Sequence, residues 1–104
     1  SVADARSQLP VSDTVGAKFV FVAPRAAKVF VVGDFNDWDP TKTPMVRASN
    51  DGAWIATLPM RAGRHLYSFV VDGAWASDPS APRAPDDGFG HSNSVKIVGR
   101  GAAL

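Results

Sequence analysis

Along most of the 104 residues apolar and polar positions alternate with the period of two that marks β-strands, and no useful length shows helical apolar spacing. From Val15 to Ala23, Phe19 and Phe21 alternate against Lys18, Val20 and Val22 until Pro24 stops the run. Lys28 to Phe35 contains Val29-Phe30-Val31-Val32, four consecutive apolar residues that predict an inner strand covered on both faces. Gly33 then permits a bend or a close approach, and Asp34, Asn36 and Asp37 form a polar turn that delivers Trp38. Met45 to Ala48 reads as a short edge strand, and Asn50-Asp51-Gly52 signals a hairpin into Ala53–Leu58, where Trp54, Ala56 and Leu58 alternate with Ala53, Ile55 and Thr57. After a turn around Gly63, His65 to Asp72 forms the next strand, and Asp72-Gly73 is a tight turn that presents Trp75. Pro79, Pro82 and Pro85 make Ala76 to Gly90 the longest loop, and Ser94 to Gly99 closes the series. Short strands separated by regular turn signals predict an all-β sandwich of about seven to eight strands.

The polar, aperiodic residues 1–14 read as a flexible linker, residues 15–99 as one domain, and residues 100–104 as a tail. A first residue of Ser1 rather than Met suggests a processed product or a piece of a longer protein. Eleven basic and ten acidic residues leave a formal net charge of +1 without clustering, so neither nucleic acid nor an anionic membrane is an expected partner. With no cysteine there is no disulfide framework, which fits a cytoplasmic setting, and no apolar run approaches a membrane span.

For chemistry, the sequence offers no nucleophile-and-base pair, no metal cluster and no cofactor motif, so the chain reads as a non-enzyme without cofactors. His65 reads as a surface strand residue. Asp34, Asp37 and Asp39 miss the calcium-loop spacing and have turn-forming work already.

Tryptophans carry the functional signal. Trp54 alternates in phase with Ala56 and Leu58 and is expected in the core, as are Phe19, Phe21, Phe30, Phe35 and Phe69. Trp38 and Trp75 instead follow polar turns. Two indoles on constrained backbone offer flat apolar platforms for the C–H face of a sugar ring, and His91, Ser92, Asn93 and Ser94 could bond its hydroxyls.

The ordered motifs Gly33-Asp34-Phe35-Asn36-Asp37-Trp38, Gly52-Ala53-Trp54, the run from Gly63 to Trp75, Asp78-Pro79 and the run from Phe89 to Val95 resemble carbohydrate-binding module family 48. That family comprises the glycogen-binding domain of AMP-activated protein kinase β subunits and the early-set domain of isoamylases and branching enzymes. The likeness covers about Ala17 to Val98 and implies an immunoglobulin-like early-set sandwich that binds α-1,4-linked glucan, glycogen or starch-like, without catalysis. Carried over by position, it places the binding tryptophans at Trp38 and Trp75, the asparagine at Asn93, the late apolar residue at Phe89 and the threonine position at His91. Where kinase-subunit members carry a lysine, this chain has Ser68, with His91 or Arg64 as candidate replacements and Ser68→Lys expected to tighten binding. The alternative is a structural early-set domain that docks an enzyme or regulatory domain of a longer parent protein and has little sugar affinity.

Overall fold

The computed structural model describes residues 14–48, 51–85 and 92–99. Phe89, His91 and the expected linker and tail, apart from Thr14, lie outside them. The described residues form an all-β sandwich of seven strands: β1 (Thr14–Val22), β2 (Val29–Gly33), β3 (Val46–Arg47), β4 (Ala53–Arg61), β5 (Gly63–Val71), β6 (Ala74–Ala76) and β7 (Ser94–Val98). One sheet runs β1-β4-β3. In the other, β5 is paired by β2 on one side and by both β6 and β7, end to end, on the other, all antiparallel.

Alternation sets the two faces of each sheet. Phe19 opposite Ala56 and Phe21 opposite Trp54 face inward from the first sheet, and Tyr67, Phe69, Val29 and Val31 face them from the second. Phe19 meets Tyr67 edge to face at 5.0 Å between centroids, and Phe21 tilts against Phe69 at 4.7 Å. Burial of such a side chain contributes about 1.5–3 kcal/mol, so these pairs join the sheets. Of the expected core aromatics, Phe30 departs. It stands opposite Val70, whose other neighbour is Trp75, and so lies on the outer face of the second sheet. The four-residue apolar run that contains it hides this parity.

The long apolar strand β2 is covered on both faces as expected, but it ends its sheet rather than lying inside it. Its second edge is closed by irregular chain: Val31 N–H donates to the Thr43 carbonyl and Met45 N–H to the Val29 carbonyl. A further departure is β6. The chain pairs straight back on β5 after the Asp72-Gly73 turn, so Trp75 sits within a short strand rather than in a loop. β4 also runs on to Arg61, through Pro59. Because β3 covers β4 only opposite Trp54 and Ile55, Pro59 lies where the second edge of β4 pairs with no strand.

Polar side chains tie the turns to the sheets. Asn36 accepts from Gly33 N–H and donates to the Val31 carbonyl and the Thr43 hydroxyl. The Asp72 carboxylate accepts from the N–H groups of Ala27 and Lys28, joining two turns at one end. At the opposite end His65 bonds the Asp34 carboxylate through Nδ1 at 2.9 Å and the Arg61 carbonyl through Nε2 at 2.8 Å. Both partners are acceptors, so only the imidazolium satisfies both. His65 is therefore a clamp between strand ends rather than a plain surface residue. Desolvation lowers its pKa, but the Asp34 hydrogen bond, the Arg61 carbonyl and the Asp34 charge together hold it above the ordinary value.

Asp78 runs the other way. Burial would raise its pKa, and hydrogen bonds from Tyr67 and Ser80 with the charge of Lys96 outweigh this and lower it. A raised histidine stabilises below its unfolded value of about 6.5 and loses that as pH rises through the folded value; a lowered carboxylate stabilises above its unfolded value, about 3.9, and loses that as pH falls through the folded one. The melting temperature, followed by circular dichroism, is expected to be highest between about pH 4 and pH 6.5, with the decline on the alkaline side removed by His65→Gln. A wild-type curve that is flat from about pH 5 to pH 8 would show that the His65 clamp contributes nothing.

Candidate functional site

On the shared edge of β5, β7 pairs as far as Tyr67 opposite Ser94, and β6 begins with Phe69 opposite Ala76. Ser68 falls between them, with no ladder partner on that side. A hollow of about 200 Å³ opens at this gap, lined by Ser68, Trp75, Ala76, Ser77, Arg83, Ser92 and Asn93. Its position follows from strand ends: Ala76 ends β6 and Ser77 follows it, and Ser92 and Asn93 lead into β7.

Trp75 sits at the edge of the hollow with 51% of its surface exposed. The row Phe30–Val70–Trp75 runs across three strands, so the indole is braced from one side by apolar neighbours. Ser68 is buried and donates its hydroxyl proton to the Ala76 carbonyl at 2.8 Å, which leaves its oxygen free only to accept. Ser92 likewise donates to the Ala84 carbonyl at 2.8 Å. Ser77 makes one long bond, 3.5 Å, to the Ser92 carbonyl.

The far wall is held by a short backbone ladder. Ala84 N–H donates to the Asn93 carbonyl and Val95 N–H to the Pro82 carbonyl, which sets Arg83 opposite Ser94. Below it, the Tyr67 hydroxyl donates to Asp78 at 2.5 Å, Asp78 also accepts from the Ser80 N–H and hydroxyl, and its N–H donates to Ser94 Oγ. Burial, the Asp78 hydrogen bond and the Asp78 charge push the Tyr67 hydroxyl far above its ordinary pKa, so it stays a donor.

Of the residues picked out from the sequence, Ser68, Trp75, Ser92 and Asn93 line this one hollow. Trp38 does not. It is partly buried on the turn after β2, its backbone N–H donating to the Gly33 carbonyl, and both Asp37 and Trp38 take positive φ, 61° and 57°. Ser94, expected to offer its hydroxyl to a ligand, is fully buried and serves Asp78 instead, and Arg64 is absent from the lining. Phe89 and His91 lie outside the described residues. Sequence reasoning missed Arg83 and Ser77. The signal available was an arginine fixed between Pro82 and Pro85, but nothing local showed that this segment would run beside Asn93.

The three aspartates of the turn after β2 are engaged elsewhere: Asp34 with His65 and Leu66 N–H, Asp37 with Lys42, and Asp39 with Thr41. Among the described residues no group of His, Asp or Glu converges on a point that could hold a metal ion, and no helix is long and apolar enough to cross a membrane.

A half-exposed indole beside a hydroxyl-lined hollow on a β-sandwich is the make-up of a binding module. A model of the family described as the glycogen recognition site of AMP-activated protein kinase matches residues 17–102, and the chain belongs to that family. Human 5'-AMP-activated protein kinase subunit beta-2 is 46% identical over 55 residues, covering 53% of this chain and 19% of that subunit. The pig (Sus scrofa) subunit beta-1 is 42% identical over 55 residues, covering 53% of this chain and 42% of that protein. The 1,4-alpha-glucan branching enzyme GlgB of Bacillus caldolyticus is 37% identical over 57 residues, covering 55% of this chain and 9% of that enzyme. The chain therefore matches less than half the length of each of these relatives.

Trp54 provides the contrast to Trp75. It is only 6% exposed, donates its indole N–H to the Ala23 carbonyl at 2.9 Å and carries the Arg47 guanidinium over its ring at 4.7 Å. Trp54→Ala should cost about 3–5 kcal/mol in chemical denaturation, and Trp75→Ala less than about 1 kcal/mol. Equal losses would mean that Trp75 supports the fold as much as Trp54 does.

Proposed function

We propose that this domain is a non-catalytic module that binds α-1,4-linked glucan, glycogen or starch-like, by stacking a sugar ring on the open face of Trp75. The observation that supports this is the convergence of Ser68, Trp75 and Asn93, distant in sequence, on one hollow. The Asn93 amide can donate to and accept from ring hydroxyls, and Ser68 can accept from one. Trp38 is assigned as a second platform on a separate turn, and Phe89 and His91 join the site through the family resemblance alone. The absence of cysteine supports a cytoplasmic setting.

A second reading, a docking domain within a longer parent protein, is supported by the opposite face of the sandwich. There Val20, Ile55 and Val46 form one row across three strands and Val22 lies opposite Ala53, with Val20, Val22 and Val46 exposed. The readings use different faces, so a domain can serve both.

An open platform with few polar partners binds weakly: the expected Kd for maltoheptaose is about 10 µM to 1 mM, or about −4 to −7 kcal/mol. Trp75→Ala is expected to remove about 1–3 kcal/mol of this and to abolish retardation in native gels cast with glycogen. Absence of heat in calorimetry and of retardation for the folded wild type would leave the docking role as the reading.

A further inference from the structure

The hollow beside Trp75 holds about 200 Å³, below the roughly 300 Å³ at which small-molecule sites begin. It is too small for a glucan chain and suited to a substituent carried by a ring that lies on the indole outside. The chemistry of that substituent is set by which polar groups are unspent. Ser68 and Ser92 have already given their protons to the carbonyls of Ala76 and Ala84. Arg83 and Asn93 have not: among the described residues neither side chain has a hydrogen-bond partner, and the ion pairs there, Lys42–Asp37 and His65–Asp34, do not involve Arg83. No carboxylate is among the described residues that line the hollow. Ser77 adds a hydroxyl with only a 3.5 Å bond.

We infer that this hollow takes a phosphate monoester carried on the glucan, paired with the Arg83 guanidinium. An arginine that lines the hollow beside the Asn93 amide and the Ser77 hydroxyl, with no acid among the described lining residues, matches a group that is charged and offers only acceptors. The backbone rungs at Pro82–Val95 and Ala84–Asn93 fix the root of Arg83 beside the hollow, so only its side chain has to order when the ligand arrives. Ser68 and Ser92, left as acceptors, then face hydroxyls of the ring that bears the phosphate.

The inference rests on the glucan-binding reading, and calorimetry with three ligands separates the two. Maltoheptaose, maltoheptaose carrying a single 6-phosphate, and inorganic phosphate are titrated into the wild-type domain and into Arg83→Gln, each checked for folding by its melting curve. The phosphorylated chain is expected to bind about tenfold tighter than the plain one at low salt. That ratio should fall toward one in Arg83→Gln and shrink for the wild type as salt is raised. Equal binding of the two sugars by the wild type overturns the phosphate site and leaves glucan binding intact. Binding of neither sugar removes the glucan reading and this inference with it. Inorganic phosphate as tight as the phosphorylated chain also overturns the inference, since the sugar would then contribute nothing.

Discussion

The constraint on which the rest of the structure depends is that two strands share one edge of β5. Continuous pairing there would have sealed the sheet. β6 returns at once through a two-residue turn and stops at Ala76, whereas β7 arrives only at Ser94, and the residue between their partners is Ser68. From Ser77 the chain leaves this edge of the sheet, and Asp78 governs how. Its carboxylate accepts from the Tyr67 hydroxyl on the core side, and its N–H donates to Ser94 Oγ at the start of β7. A buried carboxylate with the donors Tyr67 and Ser80 costs less than an unpaired one, and removing Tyr67 leaves it with Ser80 alone as hydrogen-bond donor. The gap, and thus the hollow, is held open by the same bonds that hold the core closed.

Elsewhere the polar residues also work on the backbone. Asn36 fixes the turn after β2, Asp72 binds two N–H groups of the connection before β2, and Asp34 binds Leu66 N–H and His65. Gly33 is needed beside them, because a Cβ there would collide with the Leu66 carbonyl and the Phe35 ring. At Asp37 and Trp38 two successive side-chain-bearing residues take left-handed backbone, which costs about 1–2 kcal/mol each and is sustained by the Asn36 bonds around them. Holding a large indole in that conformation is unusual for a turn with a merely connecting role.

Much of this was legible because alternation carries parity. The neighbours of Phe19, Phe21 and Trp54 mark them as inward, and the structure sets Phe19 opposite Ala56 and Phe21 opposite Trp54 across β1 and β4. Parity failed at Phe30, where an unbroken apolar run has no polar residue to mark the outer face. β6 was hidden for another reason. Three residues are too few to show alternation, and the prolines after them signal loop, although a tight Asp-Gly turn demands a strand on each side. The family pattern marks Ser68, Trp75 and Asn93 together with Trp38, Phe89 and His91, and the meeting of the first three in one hollow depends on pairings far apart in sequence. Arg83 depends on the same pairings without any motif to announce it.

Ser68 shows why the charge of the hollow belongs on its far wall. Its hydroxyl bond to the Ala76 carbonyl ties the end of β6 to β5 at the point where the ladder lapses. A lysine at this position would give up that bond and bring an ammonium into a space already lined by Arg83. Like charges sharing a partly enclosed site repel, and a lysine loses rotamer freedom when confined there, so the arrangement with serine on the sheet and arginine elsewhere in the lining keeps one cation and one strand tie together. Guanidinium and ammonium are not equivalent donors either: a planar fork directs several N–H groups at one acceptor group, whereas an ammonium acts as a point charge. The exchange therefore alters what the site can recognise as well as how strongly it binds.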